Sequence, residues 1–67
     1  MPTVVLNGQP RDVAPGATIV DLLADAGHAQ RKVAVEINRQ IVPKSQHASV
    51  ELREGDRVEI VNAIGGG

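Results

Sequence analysis

The sequence contains no cysteine, and none of its 67 residues is Phe, Tyr or Trp. Without cysteine, the chain forms no disulfide and offers no thiolate for metal binding, redox chemistry or covalent catalysis. Without aromatic side chains, it has no platform for stacking nucleic-acid bases, and its core must consist of Val, Ile, Leu and Ala. The absence of cysteine fits a reducing compartment, and we expect a cytoplasmic protein.

An excess of charge of one sign is also missing, since 7 Lys and Arg residues stand against 8 Asp and Glu residues. No basic stripe indicates nucleic acid or anionic lipid as a partner. The longest run drawn from Ala, Val, Ile, Leu and Met has three residues, as at residues 4–6, which is too short for a membrane span or a signal peptide. We therefore expect one domain over residues 1–67 that binds neither nucleic acid nor a membrane.

Turn signals divide the first part of the chain into two short strands. Residues 3–5 are β-branched, residues 4–6 are apolar, and Asn7-Gly8 follows them. This dipeptide is typical of tight hairpins because both residues tolerate a positive φ. Residues 9–13 are predicted to return as the second strand, with Pro10 indicating an edge position.

A single helix is predicted after these strands. Thr18, followed three residues later by Asp21, is a near-match to the capping box that begins many helices. Four apolar residues then recur at the spacing of one helical face, namely Ile19, Leu22, Leu23 and Ala26. Gly27 is expected to be the C-cap.

The second half of the chain predicts three further strands, at residues 33–38, 41–42 and 57–62. Their inward-facing side chains are expected to be Val33, Val35, Ile37, Val58 and Ile60, with Val50 and Leu52 also pointing to the core. Residues 44–49 are polar and are expected to be irregular, with at most a helical turn. One helix must cover one face of a small mixed sheet of about five strands, because no other arrangement buries both apolar faces. The predicted fold class is α+β.

The side chains offer no catalytic constellation. His28 and His47 lie in polar stretches without a second ligand at metal spacing, and we expect both on the solvated surface. The terminal glycines are not a phosphate loop, because no helix or Lys follows them. A domain of this size is not expected to have a substrate pocket. The sequence therefore predicts a protein that is not an enzyme and binds neither a metal nor a cofactor of its own.

The remaining candidate for chemistry is the tail at residues 64–67, which ends in three glycines. The α-carboxylate of Gly67 would be ionised and a poor acyl electrophile at neutral pH, so an ATP-dependent enzyme would have to activate it. Gly65 and Gly66 would let the backbone thread close to the nucleotide of that enzyme. Ile64 would seat the root of the tail on a partner. A frayed glycine end has the same composition, so the tail alone leaves both interpretations open.

Six stretches carry a family resemblance, at residues 4–8, 15–23, 33–38, 41–44, 55–60 and 64–67. In combination they resemble the ThiS family of sulfur carriers in thiamine (thiazole) biosynthesis, over nearly the full chain. One departure is Ala63, where many relatives have an aromatic residue. The resemblance implies a ubiquitin-like β-grasp fold, in which the first and last strands pair in parallel at the centre of the sheet.

The resemblance also implies that the chain is a protein co-substrate. An E1-like adenylyltransferase (ThiF-like) would consume ATP to adenylate Gly67, and sulfur from a cysteine desulfurase would replace AMP to give a thiocarboxylate. Thiazole synthase (ThiG-like) would receive the sulfur. We expect small transient interfaces and a monomer when the carrier is free. Val5, Ala34 and Val61 on the outer sheet face are candidates for docking. Single hydrophobic residues are also common on protein surfaces that bind nothing, so this alternative stays open for each of them.

Three other interpretations stay open. The first is a MoaD-like sulfur carrier for molybdopterin synthesis, although the short region at residues 38–44 favours ThiS. The second is a ubiquitin-like modifier that is joined to lysines through Gly67. The third is a structural β-grasp module with an inert tail.

Overall fold

The structure is a computed structural model that describes residues 1–29 and 31–62. In that part of the chain the strands are β1 (Thr3–Leu6), β2 (Gln9–Asp12), β3 (Val33–Ile37), β4 (Gln40–Val42) and β5 (Arg57–Asn62). The helix α1 spans Ile19–Asp25, and a 3₁₀ turn spans Lys44–Gln46. The strands form one sheet in the order β2-β1-β5-β3-β4. The predicted α+β class and β-grasp architecture are confirmed.

The first and last strands lie side by side in this sheet. β1 and β5 pair in parallel, with Val5 opposite Arg57 and Leu6 opposite Val58. The other three strand pairs are antiparallel. Pro10 lies on the edge strand β2, as predicted, where its missing N–H leaves no gap in the centre of the sheet. β5 therefore has a neighbouring strand on each side.

The capping box that the sequence predicts begins α1. The carboxylate of Asp21 accepts a hydrogen bond from the Thr18 N–H at 2.9 Å, and the Thr18 hydroxyl accepts one from the Asp21 N–H at 3.4 Å. Asp thus replaces the usual Glu. The predicted C-cap is wrong by one position, since Ala26 is the C-cap and Gly27 follows it at φ 85°. Glycine is favoured there because the left-handed conformation comes after the last helical residue.

Aliphatic side chains from α1 and the inner face of the sheet form the core. The buried members are Val4, Val13, Ala17, Ile19, Leu22, Val35, Leu52, Val58 and Ile60. Partly buried side chains pack against them, namely Leu6, Leu23, Val33, Ile37, Val42 and Val50. The predicted inward face of the strands is confirmed.

His47 is where the structure departs most from the sequence-based prediction. It was expected on the solvated surface, yet its side chain is only 5% exposed. The 3₁₀ turn folds this segment against α1, where the His47 carbonyl accepts a hydrogen bond from the Val20 N–H at 3.2 Å. The ring Nε2 donates to the Val42 carbonyl at 2.9 Å, which makes burial of the ring tolerable. His28 is also wrongly predicted, since it is half-buried.

Candidate functional site

The predicted tail residues, Ile64 with Gly65, Gly66 and Gly67, lie outside the described residues. The described chain ends with β5 at Asn62, which is paired with Val33 at the start of β3. The sequence therefore continues into the tail from an interior strand of the sheet. The position of β5 fixes the point from which the tail begins.

The side chain of Asn7 holds the second half of β5. β1 ends at Leu6, opposite Val58, so its backbone pairing stops before Ile60. Beyond that point, the Asn7 carboxamide makes the hydrogen bonds that a neighbouring strand would otherwise make with β5. Its Oδ1 accepts a hydrogen bond from the Ile60 N–H at 2.8 Å, and its Nδ2 donates to the Ile60 carbonyl at 3.4 Å. Both backbone groups of Ile60 are thus bound close to the root of the tail.

Asn38 holds the first residue of β5 in a similar way. Its Oδ1 accepts a hydrogen bond from the Arg57 N–H at 3.0 Å, and its own N–H donates to the Arg57 carbonyl at 2.8 Å. Its Nδ2 donates to the carboxylate of Asp56 at 3.2 Å. Sequence reasoning identified Asn7 only as a turn residue and placed Asn38 at the end of a predicted strand. An Asn in a tight turn was the available signal, but it does not indicate which strand the carboxamide reaches.

The outer face of the sheet carries the predicted docking residues. Ala34 and Val61 lie directly opposite each other on β3 and β5, and both are exposed. Val5 is half-buried on β1. The structure therefore brings Ala34 and Val61 together. Their role in docking, and that of Val5, stays a prediction.

Ile41 belongs to the same face and was missed by sequence reasoning. It is 71% exposed and is paired with Glu36 on β3. Glu36 is in turn paired with Glu59 on β5, so two carboxylates lie opposite each other beside the apolar residues. Like charges in that position destabilise a sheet. The predicted strand at residues 41–42 is too short for period-two alternation to decide which of its side chains faces outward.

The helix side of the domain has a groove, and the expectation that the domain lacks a substrate pocket stays a prediction. The groove has a volume of about 670 Å³ and lies between α1, the loop that follows it and the 3₁₀ turn. Its apolar lining includes Val20, Leu23, Ala29, Val33 and Ala48. We call it the helix-side groove. Sequence reasoning missed it because its walls come from three separate segments.

Residues 1–29 and 31–62 contain no cluster of three or more His, Asp or Glu residues that could hold a metal ion. No helix among them is long and apolar enough to cross a membrane.

Known proteins resemble this chain in sequence. The model of the ThiS family matches residues 4–67. A thiazole synthase from Paramagnetospirillum magneticum is 48% identical over 64 residues, which cover 96% of this chain but only 20% of that protein. The sulfur carrier protein ThiS from Escherichia coli K12 is 34% identical over 64 residues, which cover 96% of this chain and 97% of that protein. The chain therefore spans a small part of the first relative and nearly all of the second.

The fold is also that of a solved structure. The crystal structure of the thiamine biosynthesis protein ThiS from Geobacter metallireducens matches with a TM-score of 0.82 at 29% sequence identity. The match covers 97% of this chain and 99% of that chain. Because the family match extends over nearly the whole sequence and the fold agrees with it, the chain belongs to the ThiS family.

Proposed function

We propose that this chain is a sulfur carrier of thiamine biosynthesis, and that it acts as a protein co-substrate without a catalytic site of its own. The observation that carries this proposal is the ThiS family match over residues 4–67, which includes the tail. The E. coli sulfur carrier supports it, because that protein and this chain align over nearly their full lengths.

The proposed chemistry takes place at Gly67. An E1-like, ThiF-like adenylyltransferase transfers AMP from ATP to the Gly67 carboxylate and releases pyrophosphate. The adenylate provides a leaving group that the free carboxylate lacks. The persulfide of a cysteine desulfurase then displaces AMP to form an acyl disulfide with Gly67. A free thiol cleaves this acyl disulfide, which releases the Gly67 thiocarboxylate and leaves the thiol in a disulfide with the desulfurase cysteine. ATP is consumed by the partner, and the carrier binds no cofactor.

The anchoring of β5 supports a role in which the domain presents Gly67 to a partner enzyme. Asn38 holds the start of this strand and Asn7 holds Ile60, so the domain serves as a rigid base for the tail. The five residues after Asn62 span at most roughly 18 Å when fully extended. A partner that binds the outer sheet face, with Ala34 and Val61 at its centre, would receive Gly67 within that distance. Gly65 and Gly66 would thread into the active site of that partner, and Ile64 would contact the partner where the tail enters.

Thiazole synthase (ThiG-like) is the proposed sulfur acceptor. Thiazole synthases from Paramagnetospirillum magneticum and Magnetococcus marinus each contain a segment that is similar to nearly the whole of this chain. A carrier segment within the same polypeptide as the synthase supports a direct encounter between the two. The same observation favours thiazole formation over molybdopterin synthesis.

Intact-mass spectrometry tests the proposal. We expect incubation with a cognate adenylyltransferase, ATP, a cysteine desulfurase and cysteine to add about 16 Da, since one oxygen is replaced by sulfur. Deleting Gly67 should abolish the gain while the circular dichroism spectrum stays unchanged. Arg39→Gly is the control for a change far from the tail. Arg39 lies in the β3–β4 turn beside the start of β5, whereas the tail follows the end of that strand. This variant should show the full gain in mass.

Other outcomes would assign a different function. Sulfur transfer that persists after Gly67 is deleted would contradict a carrier role for that residue. Covalent adducts between Gly67 and lysines of other proteins would indicate a ubiquitin-like modifier. A thiocarboxylate that forms normally but supplies molybdopterin synthesis instead of thiazole synthase would indicate a MoaD-like carrier.

A further inference from the structure

The helix-side groove concentrates positive charge. Arg31, Lys32 and Lys44 line it, which are three of the seven basic residues of the chain. None of the described residues that line it is acidic, although the chain has eight Asp and Glu residues. A chain with a net charge of −1 therefore presents a locally basic surface here.

The apolar side chains that line the helix-side groove, which we call its floor, are open to solvent. α1 contributes Val20, which is 46% exposed, together with Leu23 and Ala24. Ala29 and Ala48 contribute methyl groups from the flanking segments. A concave apolar surface with a polar rim is typical of a binding site. His28 also lines the groove, and its buried Nδ1 has no hydrogen-bond partner.

The position of the groove distinguishes it from the outer sheet face. Val33 contributes to the groove, and its strand partner is Asn62, the last described residue before the tail. Ala34, the next residue of β3, belongs to the opposite face of the sheet, because side chains alternate along a strand. A molecule in the groove would therefore lie beside the root of the tail and leave the outer sheet face free.

We propose that the helix-side groove binds an acidic segment of a partner protein whose apolar side chains contact the groove floor. Charge complementarity with Arg31, Lys32 and Lys44 is the main argument. These cations come from two separate segments of the chain, which favours an elongated acidic ligand over a compact anion. Insertion of apolar side chains into a groove beside a charged rim is an established mode of peptide recognition. The proposal does not depend on Gly67 chemistry, because the unmodified chain presents the groove.

The test uses a synthetic helical peptide with leucines on one face and glutamates on the other, and a matched peptide with glutamines instead. Both are added to the full chain, and binding is followed by calorimetry and two-dimensional amide NMR. We expect shifts at Leu23, Ala29, Lys44 and Ala48 with the acidic peptide. Its affinity should fall several-fold between ~50 and ~200 mM salt, since charges at a rim are screened. The glutamine peptide should bind at least about tenfold more weakly.

Charge reversal in the groove provides the matched variants. Arg31→Glu together with Lys32→Glu should weaken binding about tenfold, and Lys44→Glu alone about threefold. Arg39→Glu together with Arg53→Glu is the control, since both residues are exposed and do not line the groove. The control makes the same change in net charge and should leave the affinity within about twofold.

Several results would overturn the proposal. Equal loss of affinity in the groove and control double variants would show non-specific attraction. Equal binding of the two peptides, or shifts confined to the outer sheet face, would also contradict it. Displacement of the peptide by a tighter-binding anilinonaphthalenesulfonate would identify a small-anion site. If Ile64→Ser shifted the groove resonances of the free protein, the tail would be the occupant. Failure of Gly67 to gain sulfur would affect none of these measurements.

Discussion

Two hairpin turns in this domain each begin with an Asn in the left-handed conformation, but their Asn side chains hold different parts of the same strand. Asn7 and Gly8 connect β1 to β2, and Asn38 and Arg39 connect β3 to β4. Their first residues have nearly identical φ values, 48° at Asn7 and 50° at Asn38. Both carboxamides reach β5, one from each side. A turn residue that is favoured for its backbone conformation therefore also anchors the strand that leads to the tail.

The two anchors differ in their partners and in their burial. The contacts of Asn7 are partly buried and satisfy both backbone groups of Ile60. The side-chain contacts of Asn38 are exposed, and one of them goes to the Asp56 carboxylate rather than to the backbone. A buried N–H that loses its partner costs more than an exposed one, which water can solvate. The comparison therefore predicts that Asn7 contributes more to stability.

Asn7→Gly should have the largest effect of the three turn substitutions. Glycine adopts the same left-handed φ without strain, so the variant removes the carboxamide and leaves the turn geometry allowed. We expect the free energy of unfolding to fall by about 2 kcal/mol, because the Ile60 N–H loses its partner. Urea unfolding followed by circular dichroism measures this, since the chain has no aromatic fluorophore. Amide hydrogen exchange should also become faster at Ile60.

Asn38→Gly should lower the free energy of unfolding by about 1 kcal/mol in the same measurement. The entropic cost of introducing glycine is shared by the two variants, so their difference reports on the carboxamide contacts. Faster hydrogen exchange should appear at Arg57 rather than at Ile60, because Asn38 contacts the start of β5. A larger loss of stability here than in Asn7→Gly would contradict the proposed difference between the turns.

Arg39→Gly should have the smallest effect and the opposite sign. Arg39 has a φ of 70°, whereas the equivalent position in the first turn is Gly8 at φ 85°. Glycine relieves a left-handed strain of roughly 1–2 kcal/mol but costs about 0.5–1 kcal/mol of entropy in the unfolded chain. The net expectation is a gain of about 0.5 kcal/mol, measured as a shift of the urea midpoint. A loss of more than about 1 kcal/mol would show that the Arg39 side chain stabilises the turn.

The fold was predictable because its signals are local. Period-two alternation identified the inward faces of β3 and β5, and Thr18 with Asp21 marked the start of α1. Asn7-Gly8 identified the first hairpin because few dipeptides accept two positive φ values. The parallel pairing of β1 with β5 came partly from the family resemblance, since no local pattern indicates which distant strands become neighbours.

Features of the surface were harder to predict because they depend on how distant segments come together. The burial of His47 requires the Val42 carbonyl as its partner, and residues 44–49 have no periodicity that would indicate burial. The helix-side groove combines cations from residues 31–32 with Lys44. Neither segment is strongly basic alone, so the composition indicated a chain without a charged patch.

The pairing of β1 with β5 has a consequence for how the protein becomes functional during synthesis. Of the five strands, β1 is made first and β5 last, so the sheet cannot close until β5 has left the ribosome. Contacts between such distant segments form late because a long loop must be ordered first. The surface that joins Ala34 to Val61 spans β3 and β5, so it exists only on a completed domain. A partner that recognises this surface would therefore bind only chains in which β5 has already joined the sheet.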